Sequence, residues 1–216
     1  MFNVYFHGSR KEKKIALTFD DGPSKETIKI LDILKNCDSK ATFFLIGKRI
    51  KGREKIIKKI ISEKHEIGNH TYSHKWLIFK SIKFIKEDIK KCDREFRKFG
   101  IKTNLFRFPA FKKGILPLMT VLFMGKKMIF AEVIPKEWKQ PYYKTLGINL
   151  NFSWEQASDI ILKKVKPGSI INLHDYLEGV GNYPEVLLIL RRIVPRLKEK
   201  GFEFVTVSEL LFTSAP

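Results

Sequence analysis

Cysteine is nearly absent from this chain. Cys37 and Cys92 are the only two among 216 residues, too few for a disulfide framework and in no metal-binding spacing, so both are expected as buried free thiols. Long apolar runs are missing too. The longest, residues 115–125, falls far short of the roughly 20 residues that cross a bilayer, and Pro117 interrupts it, which excludes a membrane span. Residues 1–10 show no apolar segment behind a basic one, so no secretory signal is visible. The expected compartment is the cytoplasm, or the cell envelope or exterior if this is a mature form. Repeats and low-complexity tracts are also lacking.

Carboxylates are scarce: 23 Asp and Glu stand against 42 Lys and Arg, a net charge of +19. Such a surface attracts anionic partners, and an anionic cell-wall polymer fits. Runs such as Lys58-Lys59 and Lys90-Lys91 read as solvated helix faces. No basic stretch is interleaved with aromatics as in a nucleic-acid module, so no specific nucleic-acid partner is expected. With 44% hydrophobic and 30% charged residues, the composition is that of one globular domain.

Short apolar strands alternate with amphipathic helices. Residues 14–19, 41–46, 66–69, 105–108, 128–133, 169–173 and 203–207 read as strands. Between them, apolar residues at spacings of three and four mark helices: Ile28, Leu31 and Leu34 after an N-cap at Ser24, then Ile56, Ile57, Ile60 and Ile61, then Ile82, Ile85, Ile89, Cys92 and Phe96. Three more are expected around 114–123, 155–165 and 185–200. Alternation of this kind predicts an α/β fold with a mostly parallel sheet, open or closed into a barrel, whose chemistry gathers at the carboxyl ends of the strands. Residues 134–153, with Pro135 and Pro141, form the one long irregular stretch, expected as a functional loop.

The titratable groups at those strand ends are unusual. Asp20 and Asp21 follow the first strand; adjacent carboxylates repel, and a cation would let one act as ligand and leave the other as a base. Taken alone, a solvated Asp-Asp-Gly-Pro turn is the simpler reading. His70 and His74, two of only five histidines, follow residues 66–69, and a helical turn there would put both imidazoles on one side. Two imidazoles and one carboxylate make the three-ligand set of a catalytic zinc. His174 closes another strand and suits proton donation. Arg107 lies in the apolar Phe106-Arg107-Phe108 run, where burial demands a carboxylate partner; Asp20 is the candidate.

These segments, in this order, resemble the polysaccharide deacetylase family, also called the NodB-homology domain or carbohydrate esterase family four. The resemblance runs from about Lys13 to Leu211. It rests on Ile15-Ala-Leu-Thr-Phe-Asp-Asp-Gly-Pro23, Lys40-Ala-Thr-Phe-Phe-Leu-Ile-Gly47, Glu66-Ile-Gly-Asn-His-Thr-Tyr-Ser-His74, Val165-Lys-Pro-Gly-Ser-Ile-Ile-Asn-Leu-His-Asp175 and Lys200-Gly-Phe-Glu-Phe-Val-Thr-Val-Ser-Glu-Leu-Leu211. It implies a single-domain, distorted parallel (β/α) barrel of NodB type over 13–212, with 1–12 as lead-in and 213–216 as tail. By the same resemblance Asp20 is the catalytic base, Asp21, His70 and His74 hold a divalent metal, and His174 is the general acid. Zinc is the expected metal, with cobalt or nickel as alternatives. The implied reaction removes acetate from an N-acetylated glycan or oligosaccharide.

Two motifs depart from the family pattern. The third usually reads Arg-Pro-Pro-Tyr, its Arg orienting the base and the residue after the last Pro giving a backbone N–H to the oxyanion; here it is Arg107-Phe108-Pro109-Ala110. The fourth normally sets an Asp, which tunes the acid histidine, beside a Trp that lines the substrate site. Glu137-Trp138 resembles it with Glu for Asp, while Ser153-Trp154 is a competing alignment. The former is preferred because an imidazolium needs a carboxylate. Three other functions stay open: an amidase for a small non-polymeric substrate, a catalytically weakened sugar-binding domain, and, on charge alone, a nucleic-acid binder.

Overall fold

The computed structural model describes residues 3–147, 152–177 and 179–212. In chain order it contains β1 (Val4–Tyr5), β2 (Lys14–Asp20), α1 (Lys25–Asn36), β3 (Thr42–Leu45), α2 (Glu54–Ser62), β4 (Glu66–Asn69), α3 (Ile82–Arg97), β5 (Leu105–Phe106), α4 (Ile115–Phe123), β6 (Lys127–Ile129) and α5 (Lys139–Thr145). Then follow α6 (Trp154–Lys164), β7 (Ile170–His174), β8 (Tyr176–Leu177), β9 (Gly181–Asn182), α7 (Glu185–Glu199), β10 (Glu203–Val205) and α8 (Val207–Phe212).

The strands of the main sheet pair in parallel, in the order β1-β6-β5-β4-β3-β2-β10, with β7 on the other edge of β2. Val133, downstream of β6, bridges Ile171 of β7 in parallel, which closes the sheet into a distorted barrel. Two short strands fill gaps at its amino-terminal end. β10 pairs with Lys14–Ala16 of β2 where β3 pairs only with Thr18–Asp20, and β1 pairs with β6 on the side facing β7. The stretch 1–12, expected as a lead-in, thus contributes a strand; the tail 213–216 lies outside the described residues.

Side chains alternate across each strand, and the two faces have different partners. The outward residues Ile15, Leu17 and Phe19 of β2 pack with Ile30, Leu31 and Leu34 of α1 and with Ile189, Leu190 and Ile193 of α7. Burying each such aliphatic group contributes about 1.5–3 kcal/mol, so α1 and α7 are held by their apolar faces. The inward residues are fewer: Ala16, Phe44, Ile129, Ile170 and Val205 form a small interior core. It is tightly filled. A Cβ on Gly68 of β4 would come within 2.4 Å of the Phe44 ring, so only glycine leaves room for that ring.

Several expectations need correction. The strands expected over 105–108, 128–133 and 203–207 are shorter, because Phe108 and Phe130 leave the sheet to pack with α4, and Val207 begins α8. The irregular stretch 134–153 contains α5, and its residues 148–151 lie outside the described residues. Cys92 is a buried free thiol, but Cys37 ends α1 only half-buried. No helix among the described residues is long and apolar enough to cross a membrane.

Candidate active site

β2 and β7 pair with Asp20 opposite His174, Thr18 opposite Asn172 and Ala16 opposite Ile170. Alternation therefore turns these residues toward one another, polar toward the carboxyl end of the barrel and apolar below. Asp20 is held from both sides. Arg107 donates from Nη1 to its Oδ1 at 2.8 Å, and Asn172 donates from Nδ2 to its Oδ2 at 2.9 Å. Arg107, fully buried, also donates from Nη1 to Thr18 Oγ1 at 2.7 Å and from Nε to the Ile129 carbonyl at 3.1 Å. Its guanidinium lies 4.0 Å above the Phe44 ring. Burial pushes the Arg107 pKa down and the Asp20 charge pulls against it; an arginine stays protonated under such a balance.

Asp21 leaves the strand with a left-handed backbone, φ 73°, which turns its carboxylate away from that of Asp20 toward the loop after β4. The expected helical turn over His70 and His74 is not there. Thr71 and His74 both have positive φ (67° and 60°), and the loop is tied by side chains: Thr71 N–H to Asn69 Oδ1 at 2.8 Å, His74 N–H to Thr71 Oγ1 at 2.9 Å, and Ser73 N–H and Oγ to Asp88 of α3. The loop achieves what the helix was expected to do. Oδ1 of Asp21 lies 3.3 Å from His70 Nε2 and 3.0 Å from His74 Nε2.

These three residues fit a metal ion. Their donor atoms lie within 4.8 Å of one another. His70 Nδ1 sits 3.0 Å from the Arg107 carbonyl, which can only accept, so Nδ1 carries the proton and Nε2 faces the carboxylate with its lone pair unless it too is protonated. Asp21 Oδ1 is buried, and the two imidazole Nε2 atoms are what face it. Three donor atoms converging in a buried spot call for positive charge between them, either protons on the imidazoles or a metal ion in their place. Burial would raise the Asp21 pKa, but the facing His74 and His70 outweigh it and hold the carboxyl well below the usual range, in the ionised form a metal needs.

His174 Nδ1 lies 2.7 Å from Glu137 Oε1. Burial works to strip its proton, but the charge and hydrogen bond of Glu137, aided by Asp21 and Asp20, outweigh it and push the pKa up to about 9. Tyr183 donates its hydroxyl to the Glu137 carbonyl at 3.2 Å, anchoring that segment. Asp175 turns the other way, against the start of α1, where Thr27 donates to its carboxylate and Ser24 to its carbonyl; burial pushes its pKa up to about 7. Trp138, next to Glu137, is half-buried and packs against the larger of the core clusters. Ala110 is exposed in the turn after β5 with φ 51°. The competing Ser153 caps α6, accepting from Gln156 N–H at 3.4 Å. His65 accepts the Ala41 N–H at 3.2 Å, and burial lowers its pKa to about 4.

The sequence model of the family described as polysaccharide deacetylase matches residues 7–113. A peptidoglycan-N-acetylglucosamine deacetylase of Bacillus cereus is 34% identical over 93% of this chain and 89% of its own. The chain belongs to the polysaccharide deacetylase family. Peptidoglycan-N-acetylmuramic acid deacetylase PdaA of Bacillus subtilis is 29% identical over 98% of this chain and 76% of its own. Among solved structures, the Bc1960 peptidoglycan N-acetylglucosamine deacetylase superposes with a TM-score of 0.87 at 31% identity, covering 99% of this chain and 94% of that one. A mutant of BA3943, a CE4 family pseudoenzyme with restored enzymatic activity, gives 0.81 at 25% identity over 96% of this chain and 70% of that one. Fold and activity can therefore separate within polysaccharide deacetylases, and the side chains must decide.

Four contributors to this site escaped the sequence reading: Asn172, Thr18, and Asn69 and Asp88, which tie the histidine loop through Thr71 and Ser73. The first two carry a signal. Each is a polar residue two positions before a strand-end catalytic candidate, and period-two alternation places it on the same inward face. Asp88 carries none, because its role depends on how α3 packs.

Proposed function

We propose that this chain is a metal-dependent hydrolase that cleaves the acetamide of an N-acetylated amino sugar in a peptidoglycan-like glycan, yielding a free amine and acetate. One observation carries the reading. The β2–β7 register sets a carboxylate clamped on both oxygens, Asp20, opposite an imidazole kept protonated, His174, beside a three-donor cluster. The named relatives supply the substrate class.

Asp21, His70 and His74 would hold the divalent ion, with zinc the first candidate; when bound it supplies a Lewis acid and acidifies water. Asp20 accepts the proton of the attacking water. Arg107 and Asn172 keep its carboxylate from rotating and stabilise the charge it carries before transfer. The Ala110 backbone N–H is the donor assigned to the developing oxyanion, and Trp138 the side chain assigned to the substrate wall. His174, paired with Glu137, protonates the sugar nitrogen as the C–N bond breaks, so the amine leaves neutral. Water is consumed, its hydroxyl ending in acetate. The catalytic unit is residues 13–212, completed by β1.

Acetate release from acetylated peptidoglycan fragments and chitooligosaccharides tests this, with chelator-treated protein and after adding back zinc, cobalt or nickel. Metal-restored release is the expected result. Binding of the glycan without acetate release under any metal would instead establish a sugar-binding domain.

A further inference from the structure

Six large apolar side chains stand exposed in one area: Trp76, Ile78 and Phe79 before α3, Ile82 at its start, and Ile115 and Leu116 at the start of α4. The pieces are adjacent. A Cβ on Gly114 would lie 3.0 Å from Ile78, and Lys112 Nζ is 5.6 Å from the Trp76 ring. Leu77 anchors the Leu77–Phe79 turn in the core against Ile85 and Val121, which leaves its neighbours facing outward. Phe79 is 79% and Ile115 86% exposed. Apolar groups this exposed, and gathered rather than scattered, mark an interaction surface.

The charges within their own segments have one sign. Residues 67–86 and 96–131 contain no Asp or Glu, while Lys75, Lys80, Lys83, Lys112 and Lys113 each lie within three positions of one of the six in sequence. We propose that this surface docks on an anionic bilayer, with Phe79 and Ile115 entering the acyl boundary and the lysines meeting the headgroups. Other occupants fit less well. Sugars stack on aromatic planes flanked by hydrogen-bonding side chains, whereas four of these six residues are aliphatic. A second copy would bring two lysine rims together on a chain of net charge +19, and like charges repel.

Placement gives the docking a use. α3 and α4 follow β4 and β5, so their first residues lie at the carboxyl end of the barrel, where Asp20, His70 and His174 sit. Trp76 is two residues beyond His74, and Lys112 two beyond Ala110. The docked molecule would turn its catalytic end toward the membrane, which suits a glycan held at that surface; this last step rests on the proposed function, whereas the docking does not.

The test is co-sedimentation of the full chain with phosphatidylglycerol vesicles and with phosphatidylcholine vesicles. The sedimentation readout does not depend on turnover, so docking and deacetylation can fail separately. Wild type should partition to phosphatidylglycerol, and Phe79→Ser with Ile115→Ser should lower that partition by about tenfold or more. Replacing Lys75, Lys80, Lys112 and Lys113 by Gln should remove the preference for the anionic lipid. All these positions lie outside the catalytic cluster, so acetate release from a soluble oligosaccharide should match wild type in both variants. Three results would overturn the proposal: no retention on phosphatidylglycerol, retention by charge alone that the double serine variant leaves unchanged, or a dimer in gel filtration that this variant dissociates.

Discussion

Asn172 holds the second oxygen of Asp20 across the β2–β7 pair, 2.9 Å from Nδ2 to Oδ2, while Arg107 holds the first. A carboxylate gripped this way presents one fixed orientation to a water. Asn172→Ala should lower kcat by about 10–100-fold, the range typical of lost orienting partners, with metal content unchanged. Steady-state kinetics beside elemental analysis checks this; an unaltered kcat would show that Arg107 suffices.

Removal of an imidazole tests the metal cluster. The wild-type protein should carry one divalent ion per chain, and His70→Ala or His74→Ala should abolish its retention through dialysis, because two donors do not hold zinc tightly. Both variants keeping their metal would move the site elsewhere.

Asp20→Asn separates base from ligand. The amide nearly matches the carboxylate in shape but cannot accept the proton, so turnover should fall by about 10²–10⁴-fold with the metal retained. Loss of the metal would make Asp20 a ligand.

The His174–Glu137 pair predicts a direction in pH. A raised pKa, about 9, keeps the acid protonated through neutral pH, and activity should decline only as pH rises through that value. Glu137→Gln removes the charge that raises it, so the alkaline limb of kcat/KM should move to lower pH. The pair's contribution to stability has the same sign: fully present below the ordinary histidine value near 6.5, lost as pH rises through about 9. An unmoved limb in Glu137→Gln would return Ser153-Trp154 to consideration.

Gly68→Ala tests the barrel interior. Its methyl would meet the Phe44 ring at 2.4 Å, and overpacking of this kind costs about 1–3 kcal/mol. The melting temperature should fall by several degrees, and activity with it, since the same ring supports Arg107.

How much of this was legible follows from what each residue depends on. Asp20, Asp21 and His174 terminate strands whose apolar runs announce them, so their convergence could be read from alternation and parallel topology. The partnership of Arg107 with Asp20 followed from the cost of burying a lone guanidinium. The histidine loop was misread because spacing of four suggests a helix, whereas positive φ at Thr71 and His74 depends on Asn69 and Asp88, which act only once α3 is packed. β1 was missed because two paired residues carry too little pattern to register.

Arg107 serves two parts of the site through two different kinds of atom. Its carbonyl fixes the tautomer of His70, and its guanidinium fixes Asp20. The first role is indifferent to side-chain identity and the second depends on it entirely. Point substitutions at 107 could therefore erode the base while sparing the ligand, giving descendants that still load metal but no longer turn over. An insertion or deletion in β5 would shift carbonyl and guanidinium together, so such a lineage would lose both at one stroke.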